Sequence, residues 1–397
     1  MAGKTRQYVG LAACPGVFKL MLATDIRLLT WFSPCVWSDD STYGKSIRAF
    51  LHGTVVGRAI SRTFWKILGG DVISVCNFDS HPETAKLKPR TDAFFAGCSF
   101  SILNYDADFF DLVRSGKIRV HVADVSHLSP RRVHLADDKK TVLESDALLL
   151  VTGWRHAPPL KFLPEGIEKE LGMPHLPAGE ASATDLGSQR PLFDRADDEI
   201  LSRFPRLTDP GSFNAKYVPL SDQKGISVEG ENEITPTSAT TPFLLYHFIT
   251  PPQEKFLRNK DIAFSGFNMN FSNAMTAHLE GLWISAFFDG KLARDPSAAV
   301  AGDSGAVTLE ELQYDTVLHN RMGKWRYPYD YGAKHPDFVF DAVPFMDLLL
   351  ADLGLKVHRK KTLLKEITEP YGPEDYRDVN DEWERKYGEW KQSIDPR

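Results

Sequence analysis

Apolar residues recur at helical spacing along the first quarter of the chain. Leu51, Val55 and Phe64 follow this spacing, and Gly69-Gly70 is expected to end the run. A stripe of this kind is one face of an amphipathic helix. We therefore expect residues 1–105 to form a mainly helical segment.

A short helix and two strands are expected next. Asp106 is a suitable N-cap, and Gly116 stands where a left-handed residue would end the helix. The alternating run Lys117–Val122 predicts a strand, and Arg132–Leu135 predicts a second one. Together these elements indicate a small antiparallel meander.

The run Asp146–Trp154 has a different pattern, because Ala147–Val151 is apolar without alternation. A strand with this composition is covered on both faces, as in a parallel sheet. The run ends at Thr152-Gly153, and open α/β sheets bind ligands at the carboxyl ends of their strands. We therefore expect a ligand near this end.

Lys260–Gly266 predicts another short buried strand that ends in glycine. A helix should follow, with Ser272 or Asn273 as its cap and Gly290 at its end. The free backbone N–H groups at such a helix N-terminus favour negative charge. The turn between this strand and this helix is therefore a second candidate ligand edge.

The remaining stretches differ in composition. Residues 156–255 are rich in Pro, Gly, Ser, Thr and acidic residues, and we expect a long loop-rich insertion there. Residues 293–397 are expected to form a helical C-terminal extension, with helices over Glu310–Met322 and Val343–Leu353. The predicted fold class is α/β, with α+β character in places, and residues 106–155 and 256–292 supply its strands, meander and ligand-facing helix.

Composition narrows the choice of partners. Of the 397 residues, 42% are hydrophobic and 25% are charged, which allows a sizeable core. The net charge of -6, with both signs interspersed, gives no reason to expect a nucleic acid or an anionic membrane as partner. No run approaches the roughly 18 apolar residues that indicate a membrane span.

Cysteine and histidine spacing predicts no metal site. No two of the four cysteines form a CxxC pair, and His121, His127 and His134 do not all fall on one face of the predicted meander. We interpret the cysteines as reduced thiols and expect a cytoplasmic protein.

The stretch Asp106–Trp154 resembles the segment of flavin-containing monooxygenases in which the chain returns from the NADPH-binding domain to the FAD domain. The similar features are Leu112–Gly116, the strand of type G-x-I-x-V that begins at Gly116, and the apolar run closing on Thr-Gly-Trp. Val151 departs from the alanine that is usual there. Lys260–Leu292 resembles the last FAD-domain strand of the family and the helix that faces the flavin.

The resemblance is closer to fungal proteins of this type and covers nearly the whole chain after about residue 20. Similar runs are Leu28–Cys35, Phe50–Gly53, His81–Pro89, Ser101–Tyr105 and Lys161–Gly166. The resemblance implies FAD and NADPH as cofactors, O2 as co-substrate, and a small apolar organic substrate of a secondary-metabolite pathway.

The same resemblance implies the residues that bind the cofactor. Thr152, Gly153 and Trp154 would border the flavin, and Gly266, Asn268 and Ser272 would lie at the helix that faces it, so the two groups would form two edges of one site. No side chain is singled out as a catalytic acid or base.

The glycine loops that grip dinucleotides in this family are not found. Such loops follow G-x-G-x-x-G, and none of the 28 glycines has another glycine two positions on. The expected architecture is therefore an incomplete FAD/NAD(P)-binding doubly wound domain. The alternative to an active oxygenase is a truncated, non-catalytic remnant, or an interaction half that works with a separately encoded N-terminal half or as a homo-oligomer.

Overall fold

The fold is mainly helical in the computed structural model, which describes residues 25–37, 42–89, 91–95, 108–151, 160–176, 185–210, 241–270, 272–302, 307–328, 332 and 337–387. The helices of the first half are α1 (Arg27–Thr30), α2 (Thr42–Gly53), α3 (Val55–Cys76), α4 (Pro82–Ala85), α5 (Phe109–Arg114), α6 (Ile167–Glu170) and α7 (Arg190–Arg203). Those of the second half are α8 (Glu254–Asn259), α9 (Asn273–Phe288), α10 (Ala298–Ala301), α11 (Leu309–Arg326), α12 (Ala342–Asp352), α13 (Leu363–Thr368), α14 (Pro373–Tyr376) and α15 (Val379–Tyr387). Short 3₁₀ helices lie at Phe78–Ser80, Leu186–Ser188 and Pro205–Thr208.

The predicted stop at Gly69-Gly70 is wrong, because α3 continues to Cys76. A glycine inside a helix costs about 1 kcal/mol relative to alanine. Burial of Trp65 and Leu68 on the same helix offsets that cost. The helix ends at Asn77, which takes a left-handed conformation at φ 47° and donates its N–H to the carbonyl of Ile73.

The small meander is confirmed as a three-stranded antiparallel sheet in the order β1 (Val125–Ser129), β2 (Arg132–Leu135) and β3 (Val142–Glu144). The first strand begins later than Lys117–Val122, where no strand is observed. The backbone there is engaged by α4 and the residue after it. Glu83 Oε2 accepts from the N–H of Val120 at 3.0 Å, and Lys86 Nζ donates to the Val120 carbonyl at 2.8 Å.

The helix before the meander is capped by Asp108, whose carboxylate accepts from the N–H groups of Phe110 and Asp111. Asp106, the predicted cap, lies outside the described residues. Gly116 is left-handed at φ 75°, as expected.

The two predicted ligand-edge strands are not observed. Residues 147–151 and 260–266 are irregular, and the only sheet in the described part of the chain is the antiparallel one. Leu149 is 86% exposed and Val151 is 84% exposed. A strand covered on both faces needs neighbouring strands, and within the described ranges no strand pairs with either segment. The mixture of helix and sheet is compatible with the predicted α/β class, while the described residues include no doubly wound parallel sheet.

The main hydrophobic core lies between α9 and α12. Leu279, Trp283 and Phe287 on α9 face Phe345 and Leu349 on α12, and all five side chains are fully buried. Helix α11 packs on α7 at the side of this core. The α11 and α12 helices match the expected Glu310–Met322 and Val343–Leu353 within a few residues.

A buried ion-pair network joins α1 to the C-terminal helices. Arg27 donates through Nε to Glu366 at 2.8 Å and forms a bidentate pair with Asp347, and Tyr371 contacts both Arg27 and Glu366. Because Arg27 is 1% exposed, these carboxylates compensate a charge that would otherwise be costly to bury. The network fixes α1 against α12 and α13.

No helix in the described ranges is both long and apolar enough to cross a bilayer.

Candidate functional site

The candidate site is the loop formed by residues 265–270 and Ser272, together with the start of α9. Of the predicted site residues, Gly266, Asn268 and Ser272 lie in this loop, while Thr152, Gly153 and Trp154 lie outside the described residues. Gly266 has φ 83°, a conformation that side chains with a Cβ rarely adopt. The left-handed backbone therefore favours glycine here. A Cβ at this position would meet nothing within 4 Å, so the outer side of the turn is open.

Glu280 holds this loop in place. It lies about two turns into α9 and is 1% exposed. Its carboxylate accepts from Ser265 Oγ at 2.5 Å, from the N–H of Gly266 at 3.1 Å and from Asn268 Nδ2. The backbone N–H of Gly266 and the side-chain amide of Asn268, which were expected to face a ligand, therefore donate to an internal carboxylate.

The contacts of Glu280 fix the orientation of two amides in succession. A carboxylate only accepts, so Asn268 must turn its Nδ2 towards Glu280 and its Oδ1 towards Asn270. Asn270 then donates Nδ2 to that oxygen at 2.8 Å. Its own Oδ1 is left as a buried acceptor with no partner among the described residues. We call Glu280, Asn268 and Asn270 the amide relay.

Ser272 is the N-cap residue of α9, as predicted, but its hydroxyl does not cap the helix. The hydroxyl donates instead to Asp25 Oδ1 at 2.7 Å. Asp25 is buried beside the helix N-terminus, and its carbonyl accepts from the N–H of Tyr371 at 3.0 Å. Burial raises the pKa of the Asp25 carboxyl from 3.8 to about 6, against the lowering effect of the Ser272 hydrogen bond.

The loop is also tethered from the other side. Met269 forms a parallel β-bridge with Asp337, and its carbonyl accepts from the N–H of Phe338 at 2.7 Å. The site is thus assembled from three distant parts of the sequence: Asp25 two residues before α1, the loop before α9 and the segment before α12. Sequence reasoning missed Asp25 and Glu280. The signal for Glu280 was a lone acid within a long apolar helix, whereas Asp25 carries no local signal.

Metal and thiol chemistry find no support in the described residues. No group of three or more His, Cys, Asp or Glu side chains there is arranged to hold a metal ion. The rings of His127 and His134 stack on each other, with centroids 4.0 Å apart. Burial raises the pKa of the Cys76 thiol to about 11 and that of Cys35 higher still. Both thiols are therefore poor nucleophiles at neutral pH.

The residues of the site fit a flavin in one respect and not in another. The Oδ1 of Asn270 is a buried acceptor without a partner in the described residues, which suits an N–H at the edge of a ring, and Gly266 is open on its outer side. Phosphate groups need several free N–H donors or basic side chains; residues 265–270 hold no basic side chain, and the Gly266 N–H is bound to Glu280. Donors for a phosphate at this site would therefore be the first backbone N–H groups of α9.

Comparison with known proteins places the chain near flavin-dependent oxidoreductases. It is 25% identical over 366 residues to the FAD-dependent monooxygenase avaB of Aspergillus versicolor, which covers 87% of this chain and 48% of that protein. It is 22% identical to the FAD-dependent monooxygenase DEP4 of Fusarium langsethiae, with 93% of this chain and 57% of that protein covered. For the FAD-dependent monooxygenase rstn6 of Aspergillus nomiae the identity is 25%, with 90% and 56% covered.

The predicted resemblance to fungal FAD-dependent monooxygenases is confirmed by these relatives. The chain spans about half the length of the curated relatives it matches. No family model and no solved structure matches it.

Proposed function

We propose that this chain is an oxidoreductase of the FAD-dependent monooxygenase type, acting with NADPH and O2 on a small apolar organic substrate of fungal secondary metabolism. The observation that carries the proposal is similarity along 87–93% of the chain to proteins named FAD-dependent monooxygenases. The cytoplasmic location expected from the sequence remains a prediction.

The loop before α9 is the part of the described chain assigned to the flavin ring. Asn270 Oδ1 would accept from a ring N–H, and the amide relay would keep that buried oxygen turned away from Asn268. The N-terminus of α9 would favour negative charge on the same side. Thr152, Gly153 and Trp154 are proposed to border the ring from a second edge, which lies outside the described residues.

FAD, when bound, would supply the redox chemistry, and the chain would position it and exclude water. Asp25 is a second titratable group at this loop besides Glu280, and it is bonded to the start of α9 through Ser272. With a pKa of about 6, its carboxyl can hold a proton at Oδ2 in mildly acidic solution and release it near neutrality. It is therefore our candidate for a proton-holding group at this end of α9.

The proposal is tested by titrating FAD into the purified full chain and following the visible spectrum and flavin fluorescence. We expect saturable binding, weakened by Asn270→Leu, which keeps the side-chain size and removes the acceptor. Asn380→Leu is the matched control, because Asn380 is exposed and its Oδ1 lies 3.1 Å from His278 Nε2, away from the amide relay. NADPH oxidation that needs both FAD and O2 would support the oxygenase assignment.

A specific observation favours a second candidate, an interaction half or remnant that does not act alone. Leu148–Val151 presents four consecutive apolar side chains to solvent, with exposures from 46% to 86%. Runs of this kind mark surfaces that another polypeptide covers. A full chain that stays colourless with FAD, and aggregates as it is concentrated, would contradict the oxygenase and support this alternative.

A further inference from the structure

A small pocket lies behind the candidate site, between α11 and the segment that carries Asp337 and Phe338. Trp37, His319, Arg326 and Asp341 are among its lining residues. The space open to the centre of a water-sized sphere is about 10 Å³. This is close to the minimum that holds one water molecule.

Three side chains that line this pocket each hold a buried nitrogen with no partner in the described part of the chain. These atoms are Trp37 Nε1, Arg326 Nη1 and His319 Nδ1. The residues are 6%, 1% and 9% exposed, so bulk water does not hydrate them. Buried polar groups in folded proteins are nearly always hydrogen-bonded to protein or to ordered water. Three such atoms around one cavity therefore indicate a bound group.

Neither Arg326 nor Trp37 is free to turn towards another partner. The Nε and Nη2 atoms of Arg326 both donate to Ser33 Oγ at 3.2 Å, and its guanidinium lies 4.3 Å from the centroid of the Tyr327 ring. The Trp37 ring is held edge-on against Phe338, at 5.1 Å, and His319, at 5.6 Å between centroids. The unpaired nitrogens are thus fixed in position.

The hydrogen-bond donors and acceptors that line the pocket determine which molecule can bind there. Trp37 Nε1 and Arg326 Nη1 can only donate. His319 is neutral at physiological pH because burial lowers its pKa to about 3, so a ring nitrogen is available as an acceptor. The carboxylate of Asp341 also lines the pocket and accepts from Ser33 Oγ at 2.8 Å. The site therefore combines two donors with two acceptors.

We propose that one ordered water molecule occupies this pocket, accepts from Trp37 Nε1 and Arg326 Nη1, and donates to His319 Nδ1 and Asp341. A water molecule has two acceptor and two donor positions, which matches this set. A small anion would accept from the two donors but would be repelled by Asp341 and Asp337, which line the same space. The water links Trp37 to the last turn of α11.

The test is water–indole NMR on the full chain labelled with ¹⁵N-tryptophan. The chain has 8 tryptophans, and Trp37→Phe identifies the Trp37 resonance by its loss. His319→Gln identifies the same resonance by its shift in case the first variant does not fold. Trp65 is the internal control, because it is fully buried and its indole donates directly to the Phe32 carbonyl at 2.8 Å.

We expect a cross-relaxation peak between water and the Trp37 indole proton, and none for Trp65. Absence of a water contact at Trp37, with a spectrum otherwise like that of Trp65, would overturn the proposal. A saturable shift of the Trp37 resonance on addition of sodium bromide would also overturn it, because the occupant would then be an anion.

Discussion

Substitution of Glu280 tests whether the amide relay organises the candidate site. In Glu280→Gln, one of the three groups that donate to the carboxylate would face an amide nitrogen. If Asn268 turns over to present its oxygen, Asn270 must turn as well, and its unpaired atom becomes a donor. The variant therefore reverses the hydrogen-bonding character of Asn270 without changing the size of any side chain.

The magnitude follows from which donors are buried. Ser265 and Gly266 are exposed, so water replaces their bonds to Glu280 at little cost, whereas Asn268 is buried. A hydrogen bond to a charged group contributes about 1.5–3 kcal/mol, so Glu280→Ala should lower the free energy of unfolding by about that amount. Glu280→Gln should lower it by about 1–2 kcal/mol, because two acceptor contacts can be kept.

Urea unfolding followed by tryptophan fluorescence measures this loss, since Trp283 is buried on the same helix as Glu280. Glu384→Gln is the matched control, because Glu384 is exposed on α15 and its substitution should change stability by less than about 0.5 kcal/mol. Equal unfolding curves for Glu280→Ala and Glu384→Gln would refute the relay. So would a flavin titration in which Glu280→Gln binds like the unchanged chain while Asn270→Leu does not.

Three further substitutions test other parts of the structure. Burial raises the pKa of Asp25 to about 6, so the free energy of unfolding of the wild-type chain should equal that of Asp25→Asn below about pH 4. As the pH rises from about 4 to 6, the wild-type value should fall below that of the variant, reaching a deficit of about 3 kcal/mol in urea unfolding. Arg27→Met should cost about 3–5 kcal/mol in the same assay, because it leaves the buried carboxylates of Asp347 and Glu366 without their cation. Leu149→Ser should change the free energy of unfolding by less than about 0.5 kcal/mol and reduce light scattering of concentrated protein, because Leu149 is exposed in the apolar run.

Each of these three predictions has an outcome that would contradict it. A pH dependence in the Asp25→Asn difference of the opposite sign would contradict the assignment of burial as the dominant cause. Arg131→Met should cost no more than about 1 kcal/mol, since its pair with Asp146 is exposed, and a similar loss in both arginine variants would contradict the role of burial. Leu279→Ala, in the core, should cost about 2–5 kcal/mol, and stability unchanged there would contradict the described packing.

Local patterns predicted several elements correctly. The left-handed conformation at Gly116, the antiparallel meander, the start of α9 at Ser272 and the helices α11 and α12 were all expected. These features depend on interactions within a few residues, such as helical periodicity and turn conformation, so neighbouring residues specify them. The resemblance of the chain to fungal FAD-dependent monooxygenases also rests on the sequence alone, and the relatives bear it out.

Tertiary contacts decided what the local patterns could not. The segment predicted as a strand within Asp146–Trp154 can form a strand only if it pairs with others. No partner strand is found in the described residues, and the apolar side chains of 148–151 face solvent. At the candidate site the sequence by itself determined that Gly266, Asn268 and Ser272 precede a helix. Only the fold decided that Glu280 and Asp25 would take their hydrogen bonds, because Asp25 lies 247 positions from Ser272 along the chain and meets it only when α1 packs against the C-terminal helices.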